Sequence, residues 1–169
     1  HPTGISVLDV LDKTISPMGS RLMKNWLIFP LLDLAEIKQR QDTVDYLMTD
    51  TGFYTNLTEE IKKVGDLERL ISKIALKRIN PKELLQLSSA LKSVKQIKAV
   101  GAKVECRPIE KYSADLFECD EVVQLIDTQI AEDAPVVAAK GGVFKMGVDD
   151  ELDEYISIST NSKEYLLGL

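Results

Sequence analysis

The sequence predicts an all-α fold: a multihelical, bundle-like domain with one small β-hairpin near residues 136–147. Three observations predict it. Apolar residues recur every three or four positions along most of the 169 residues, which is the period of a helix with one buried face. Many of these runs begin with a residue type that caps helices and end at a glycine or a proline. Only one short stretch has strand-like runs on both sides of a glycine pair.

Composition excludes several classes of protein. Apolar residues make up 44% and charged residues 28% of the chain, values typical of a folded globular domain. The net charge of −6 disfavours a domain that grips nucleic acid through many phosphates. The sequence has neither an apolar run long enough to cross a membrane nor the pattern of a secretory signal. Cys106 and Cys119 form no CxxC motif and agree with reduced thiols, so we expect a cytoplasmic location.

A Ser-Pro pair at residues 16–17 begins the first predicted helix, and Pro30 ends it. Serine suits the N-cap, and proline is tolerated in the first turn because its missing N–H would have no partner there. Met18, Leu22 and Trp26 then recur every fourth residue. They share one face of the helix, so we expect that face to be buried, with Trp26 in the core.

Three more helices are predicted before residue 80. Asp33 caps the first of them, and Glu36 completes a capping box. The second ends near Gly65, and Asp66 caps the third. The buried face of this third helix is predicted from its apolar residues: Leu67, Leu70, Ile71, Ile74 and Ala75.

The clearest helix signal lies at residues 80–83, where asparagine, proline, lysine and glutamate supply a cap, a first-turn proline and a capping-box partner. Gly101 ends this helix. Its apolar residues are spaced alternately by three and four positions, which suits packing against antiparallel helices. They form the seam Leu84, Leu87, Leu91 and Val94.

The rest of the chain predicts a loop, a helix, the hairpin and a last helix. Residues 103–113 have no clear period and contain a proline, so they are predicted to be a loop. The next helix begins at Asp115 or Asp120. Strand-like runs on both sides of a Lys-Gly-Gly turn predict the hairpin at 136–147. Asp149 caps the last helix.

No catalytic template is satisfied. The sequence lacks the phosphate-binding pattern GxxxxGK[ST] and the HExxH, GxSxG and EF-hand patterns. Its one histidine, His1, leaves almost no room for imidazole catalysis. Asp150, Asp153 and Glu154 have the spacing to share a helix face and bind a divalent metal, but a solvated acidic first turn is favoured. We therefore predict no catalytic, cofactor-binding or metal-binding residue.

Basic residues gather in one region of the middle of the chain: Lys62, Lys63, Lys73, Lys77, Arg78 and Lys82. Glutamates are interleaved with them at positions 59, 60, 68 and 83. Mixed charge of this kind favours surface ion pairs, with a nucleic-acid footprint as the alternative.

Three segments resemble the MutS family of DNA mismatch-repair proteins. Residues 6–27, SVLDVLDKTISPMGSRLMKNWL, resemble the start of that family's core (lever) domain, which is domain III. Residues 65–73, GDLERLISK, are similar to its GDLER segment. Residues 141–154, GGVFKMGVDDELDE, resemble its GGxI…G…ELDE segment. The segments occur in the family's order and extend over most of the chain.

The resemblance implies a domain organisation. Residues 1–169 would be a fragment of the core domain, ending within the helix that leads to the family's DNA clamp. The mismatch-binding, clamp and ATPase domains would be absent from it. The family's mismatch-reading Phe-x-Glu motif does not occur, because Glu118 follows Phe117 directly. No catalytic or mismatch-contacting position of the family is therefore carried over to this chain.

The function that the resemblance implies is mechanical. The chain would be a helical connector that relays conformational change between the ATPase end and the DNA-holding end of a longer protein. That parent protein would bind mismatched duplex DNA, ATP and Mg²⁺ in the repair of DNA damage, and would form a dimer. The fragment would not be an enzyme, would hold no cofactor, and would bind nucleic acid only weakly. Its partners would be the other domains of the parent chain, with no membrane contact.

The residues expected to carry this role are structural: Met18, Leu22, Trp26, Leu67, Leu70, Leu84, Leu87, Leu91 and Val94. The alternative is a stand-alone helical adaptor that binds other proteins through an exposed groove.

Overall fold

A computed structural model describes residues 4–167 of the chain. These residues form helices and no strand, which confirms the all-α class. None of the helices described is both long and apolar enough to cross a membrane. In chain order they are α1 (Val7–Leu11), α2 (Pro17–Ile28), α3 (Leu34–Thr49), α4 (Thr51–Val64), α5 (Leu67–Ala75), α6 (Pro81–Gly101), α7 (Arg107–Ala114), α8 (Asp120–Gln129) and α9 (Asp150–Leu167).

The core is built on α6, which packs against α4, α5, α7 and α8. Toward its N-terminal half lies an apolar cluster shared with α8 and the segment after it. Its buried members, which we call the Leu87 cluster, are Leu87, Ile126, Ile130 and Ala134. Half-buried side chains pack around them: Leu67, Leu70, Leu84, Leu85, Leu91, Ala131 and Val143.

A second apolar cluster lies near the C-terminal end of α6, between α3, α4 and α7. Its buried members, which we call the Phe53 cluster, are Phe53, Cys106 and Ile109. The half-buried residues around it are Tyr46, Leu47, Leu57, Val100 and Val104. Because Leu87 and Val100 belong to the same helix, α6 connects the two clusters.

The helix starts follow from capping side chains. Ser16, Asp33 and Asp66 each accept a hydrogen bond from the backbone N–H three residues further on. Asn80 accepts from the Glu83 N–H at 3.0 Å, while the Glu83 carboxylate accepts from the Asn80 N–H at 3.1 Å. This is a complete capping box, which satisfies two donors that the helix leaves unpaired. The predicted starts of α2, α3, α5 and α6 are confirmed.

The prediction of a loop over residues 103–113 is wrong, because most of that stretch lies in α7. Pro108 occupies the first turn of α7, where no intrahelical bond needs its N–H, so it does not break the helix. The buried residues Ile109 and Ser113 lie one turn apart and face α6. A Cβ at Gly101 would lie 1.8 Å from the Ser113 Oγ, so the end of α6 has room only for glycine.

The β-hairpin predicted at 136–147 does not form. Ala138–Lys140 make a 3₁₀ turn, which removes the first strand. The segment directly after α8 takes its place, since the Ala131 N–H donates to the Val143 carbonyl at 2.9 Å. This arrangement places the Val143 side chain against the Leu87 cluster. Pairing with Val136, which is exposed, would not bury it in this way.

The face of α2 predicted to be buried is largely open. Leu22 is 50% exposed and Trp26 is 41% exposed, so the prediction of their burial is wrong, and Met18 is half-buried. The Arg40 guanidinium of α3 lies 3.5 Å from the centroid of the Trp26 ring, which is a cation–π contact. Helical spacing identifies an apolar face but does not show which element covers it. The Arg40 side chain covers part of this face, and the rest of it is open.

The predicted face of α5 is buried only in part. Leu67 and Leu70 pack against the Leu87 cluster. Ile71, Ile74 and Ala75 are exposed, so the prediction of their burial is wrong.

Lys77 ends α5 in a conformation that favours glycine. Its φ is +54°, the only positive φ at a non-glycine residue among those described. The Lys77 N–H donates to the Ile74 carbonyl and the Arg78 N–H donates to the Lys73 carbonyl, both at 2.8 Å. These two bonds define a Schellman motif, whose left-handed position is usually glycine because a Cβ is strained there.

Replacing Lys77 with glycine should therefore stabilise the chain. We expect Lys77→Gly to raise the free energy of unfolding by about 0.5–1 kcal/mol, since it removes the Cβ strain of the left-handed conformation. Urea denaturation at equilibrium measures the change. Lys77→Ala is the matched control, because it removes the same charge and keeps the Cβ. An equal effect of both substitutions would contradict the explanation by backbone strain.

Candidate functional site

The structural residues predicted from the sequence fall into two groups. Leu87 is buried in the centre of its cluster, and Val94 is half-buried further along α6. Half-buried neighbours from α5 and α6 pack against the Leu87 cluster: Leu67, Leu70, Leu84 and Leu91. Met18, Leu22 and Trp26 are apart from this group, on α2. The structure thus brings the α5 and α6 residues together and does not join the α2 residues to them.

An arginine fork fastens α2 to α5. Arg21 donates to Asp66 through Nη1 and Nη2, at 3.2 and 2.7 Å, and to Glu68 through Nε at 2.8 Å. We call these three residues the Arg21 junction. The bond from Arg21 is the main reason that the pKa of Asp66 lies below its usual range. Asp66 also caps α5, so one carboxylate both starts that helix and holds the neighbouring one.

A second ion pair fastens α5 to α6. The Lys73 ammonium binds the Glu83 carboxylate, and both side chains are less than a third exposed. The bond from Lys73, together with the backbone N–H of Asn80, lowers the pKa of Glu83. Glu83 is the capping-box residue of α6, so the start of α6 depends on the same group that holds α5.

A polar junction joins α6 to α8 beside the Leu87 cluster. The Ser88 Oγ donates to Asp127 Oδ1 at 2.6 Å, and the Lys92 ammonium binds Asp127 Oδ2 at 2.6 Å. Lys145, in the segment after Gly142, donates to the Asp127 backbone carbonyl at 2.7 Å. We call Ser88, Lys92, Asp127 and Lys145 the Asp127 junction. The bond from Lys92 first, and that from Ser88 second, lower the pKa of Asp127.

Further charged contacts hold α6 along its length. Lys95 binds Asp120 at 2.6 Å and Glu118 at 3.2 Å, at the start of α8. On the other side, the buried Ser93 of α6 lies close enough to Glu60 of α4 to influence its pKa. Lys63 is the first cause of the lowered pKa of Glu60, and Ser93 adds to it. The helix is therefore tied to α4, α5 and α8 by polar groups as well as by apolar packing.

The acidic start of α9 is occupied by capping contacts. Asp149 Oδ1 accepts from the Leu152 N–H at 2.8 Å, and Asp153 Oδ2 accepts from the Gly147 N–H at 2.7 Å. Among the residues described, no three histidine, cysteine, aspartate or glutamate side chains converge as a metal site would require. The hypothesis of a metal site at Asp150, Asp153 and Glu154 therefore has no support from the structure.

Sequence reasoning missed the polar partners of α6 and α2. No sequence pattern assigned Arg21 a partner, and Ser88 lies beside the apolar seam without any pattern that marks it as buried. Both are paired with residues far away in sequence, 45 positions for Asp66 and 39 for Asp127. The resemblance alone drew attention to one of these pairs, because Arg21 and Asp66 lie in two of the segments that carry it.

The family profile described as MutS domain III matches residues 2–166. The chain belongs to the MutS family. Of the curated relatives, the DNA mismatch repair protein MutS of Flavobacterium johnsoniae is 40% identical over 169 residues, which is 100% of this chain and 20% of that protein. The MutS protein of Bacteroides fragilis is 41% identical over 166 residues, 98% of this chain and 19% of that protein.

The chain spans about a fifth of the length of these MutS relatives. The similarity covers residues 2–166, a range that includes α1, α7 and the segment after α8. In this MutS domain the three resembling segments lie at helix contacts. The first supplies Arg21, the second supplies Asp66 and Glu68, and the third supplies Lys145.

The Asp127 junction should give the stability of this MutS domain a pH dependence. The folded pKa of Asp127 is lowered, so its ionised form stabilises the fold above the unfolded value of about 4. This contribution is lost as the pH falls through the lower folded value. We expect Asp127→Asn to be less stable than the wild type at neutral pH, with a difference that shrinks below about pH 4.

Denaturation at a series of pH values measures this difference. Lys92→Ala should remove most of the pH dependence of the stability difference, because Lys92 is the main cause of the lowered pKa of Asp127. Lys103→Ala, an exposed lysine outside the junction, is the matched control and should leave it intact. A gap between wild type and Asp127→Asn that stays constant from neutral to strongly acidic pH would contradict the prediction.

Proposed function

We propose that this chain is the connector, or lever, of a longer MutS protein. It relays conformational change between a part that hydrolyses ATP and a part that holds DNA. The observation that carries the proposal is that α6 runs unbroken through both apolar clusters. At 21 residues it is about 30 Å long, so the Leu87 and Phe53 clusters are linked by one rod.

Stiffness along α6 supports the proposal. The helix has a complete capping box, and its only glycine is the terminal Gly101. Apolar packing and charged contacts hold it on the sides of α4, α5, α7 and α8. A helix supported on several sides moves as a unit, so a displacement at one end is passed to the other.

The Arg21 junction is the joint in this proposal. Coupling between distant sites needs an element with two discrete arrangements. Exposed ion pairs contribute only about 0.2–1 kcal/mol each, so they break and re-form at little cost. Arg21 is 46% exposed and is the main link from α2 to α5. We propose that α2 shifts relative to α6 by exchanging the carboxylates that Arg21 binds.

The remaining roles belong to the longer protein. We propose that its other domains bind mismatched duplex DNA, ATP and Mg²⁺ and form the dimer, in the cytoplasm. In this view residues 1–169 are a fragment of the core domain without catalytic or cofactor-binding residues. The open α2 face of Met18, Leu22 and Trp26 is the surface on which another part of that protein packs. The isolated chain should not bind mismatched duplex DNA with sub-micromolar affinity at physiological salt.

The stand-alone adaptor hypothesis gains no support. The family profile covers residues 2–166, and the MutS relatives match over nearly the whole chain. Nothing in these matches favours an independent protein.

Softening α6 without disturbing the core tests the lever. Ser89 and Gln96 are exposed residues of α6, so Ser89→Gly with Gln96→Gly adds backbone freedom and removes no buried contact. Each glycine costs about 1 kcal/mol relative to alanine in a helix interior. In a MutS protein carrying this chain, we expect the double glycine variant to lose at least half of the ATP-induced release of DNA. ATP hydrolysis in the absence of DNA should stay unchanged.

The matched control is Ser89→Ala with Gln96→Ala, which removes the same side chains and keeps the helix stiff. Stopped-flow fluorescence of labelled DNA follows the release. Equal release by the glycine and alanine variants would contradict the lever, since the proposal depends on the stiffness of α6 and not on these side chains.

A further inference from the structure

We propose that the turn between α5 and α6 is an auxiliary contact for the phosphate backbone of duplex DNA. The contact is made by Lys77, Arg78 and Lys82, which we call the basic corner. It goes beyond the lever role and rests on the proposed DNA-repair setting. It is weak and independent of base sequence, because it offers charge and no groove-reading element.

Charge is segregated at this corner, although the chain as a whole is acidic. Residues 69–82 contain five cations and no aspartate or glutamate, in a chain whose net charge is −6. Residues 84–104 also lack a carboxylate, but Lys92, Lys95 and Lys98 in that segment bind carboxylates of other segments. Exposed cations in a segment without a carboxylate give that part of the surface a positive potential.

The structure leaves the cations of the basic corner uncompensated. Two of the lysines in this region are neutralised, since Lys63 binds Glu60 and Lys73 binds Glu83. Lys77, Arg78 and Lys82 are exposed, and no ion pair joins them to a carboxylate in the part of the chain described. The surface ion pairs favoured from the sequence thus form for some of these residues and not for the corner.

The backbone holds the basic corner in a fixed shape. The Schellman motif fixes Lys77 and Arg78, and the capping box at Asn80 fixes the first turn of α6, where Lys82 lies. The N-terminal end of the α6 dipole points to the same turn and adds to the positive potential. Lys77 keeps its charge at a position where glycine would be less strained.

A phosphate backbone suits these features better than a protein segment does. None of the clefts described along the surface is lined by Lys77, Arg78 or Lys82, so the corner presents charge without a concavity. A polyanion needs no matching cavity, because its affinity comes from the release of counterions. An acidic protein segment could in addition contact Leu76, which is exposed at the same turn. The test therefore includes poly-glutamate as a stand-in for such a segment.

The test measures binding of the 169-residue chain to a fluorescently labelled, fully paired duplex by anisotropy. Three phosphate contacts predict a salt slope of about −2.7, that is, an affinity about 40-fold lower at about 200 mM salt than at about 50 mM. The variant Lys77→Gln, Arg78→Gln, Lys82→Gln should lose most of the affinity and most of the slope. The control Lys103→Gln, Arg107→Gln, Lys111→Gln makes the same change in net charge on exposed residues elsewhere and should retain both.

Three results would overturn the proposal. The first is no binding of the duplex by the wild type at low salt. The second is an equal loss in the corner variant and in the control, which would mean that only net charge matters. The third is binding of poly-glutamate as tightly as the duplex at the same ionic strength, with the same loss in the corner variant, which would assign the corner to an acidic protein segment. None of these results would affect the lever proposal, because the α6 experiment measures nucleotide-dependent release.

Discussion

Burial of the α6 seam is the interaction on which the rest of this molecule depends. Leu87 lies at the point where α6 meets α8, and residues from α5 and from the segment after α8 pack around it. Removing apolar area from water is the main force that holds these elements together. The polar contacts are arranged around this packing: Ser88 and Lys92 project from the same stretch of α6 and fix α8 through Asp127.

Apolar packing holds the centre of the molecule, and exposed ion pairs attach its periphery. The two clusters along α6 are rigid, since close-packed side chains resist displacement. The Arg21 junction is exposed, and the apolar face of α2 beside it is open. A domain built in this way has a stiff centre and a more loosely attached end. This contrast is what a connector between moving parts requires, and it is also why the α2 residues do not belong to the core described.

The sequence predicted much of the fold, and its errors have common physical causes. Local signals are decided within a few residues, so the caps at Ser16, Asp33, Asp66 and Asn80 were found correctly. The errors concern partners. Pro108 was interpreted as part of a loop, although it lies in the first turn of a helix, where proline is tolerated. The glycine pair was assigned to a hairpin, although Val143 packs against the Leu87 cluster instead of pairing with a strand.

The sequence by itself determined the helical class, most helix starts, the apolar seam of α6 and, through three resembling segments, the family. These properties depend on spacing and on neighbours along the chain. Only the tertiary structure decided that Trp26 is open, that Arg21 binds α5 and that Asp127 gathers Ser88 and Lys92. The physical reason is that burial and ion pairing depend on which distant elements meet, and a periodic pattern carries no information about that.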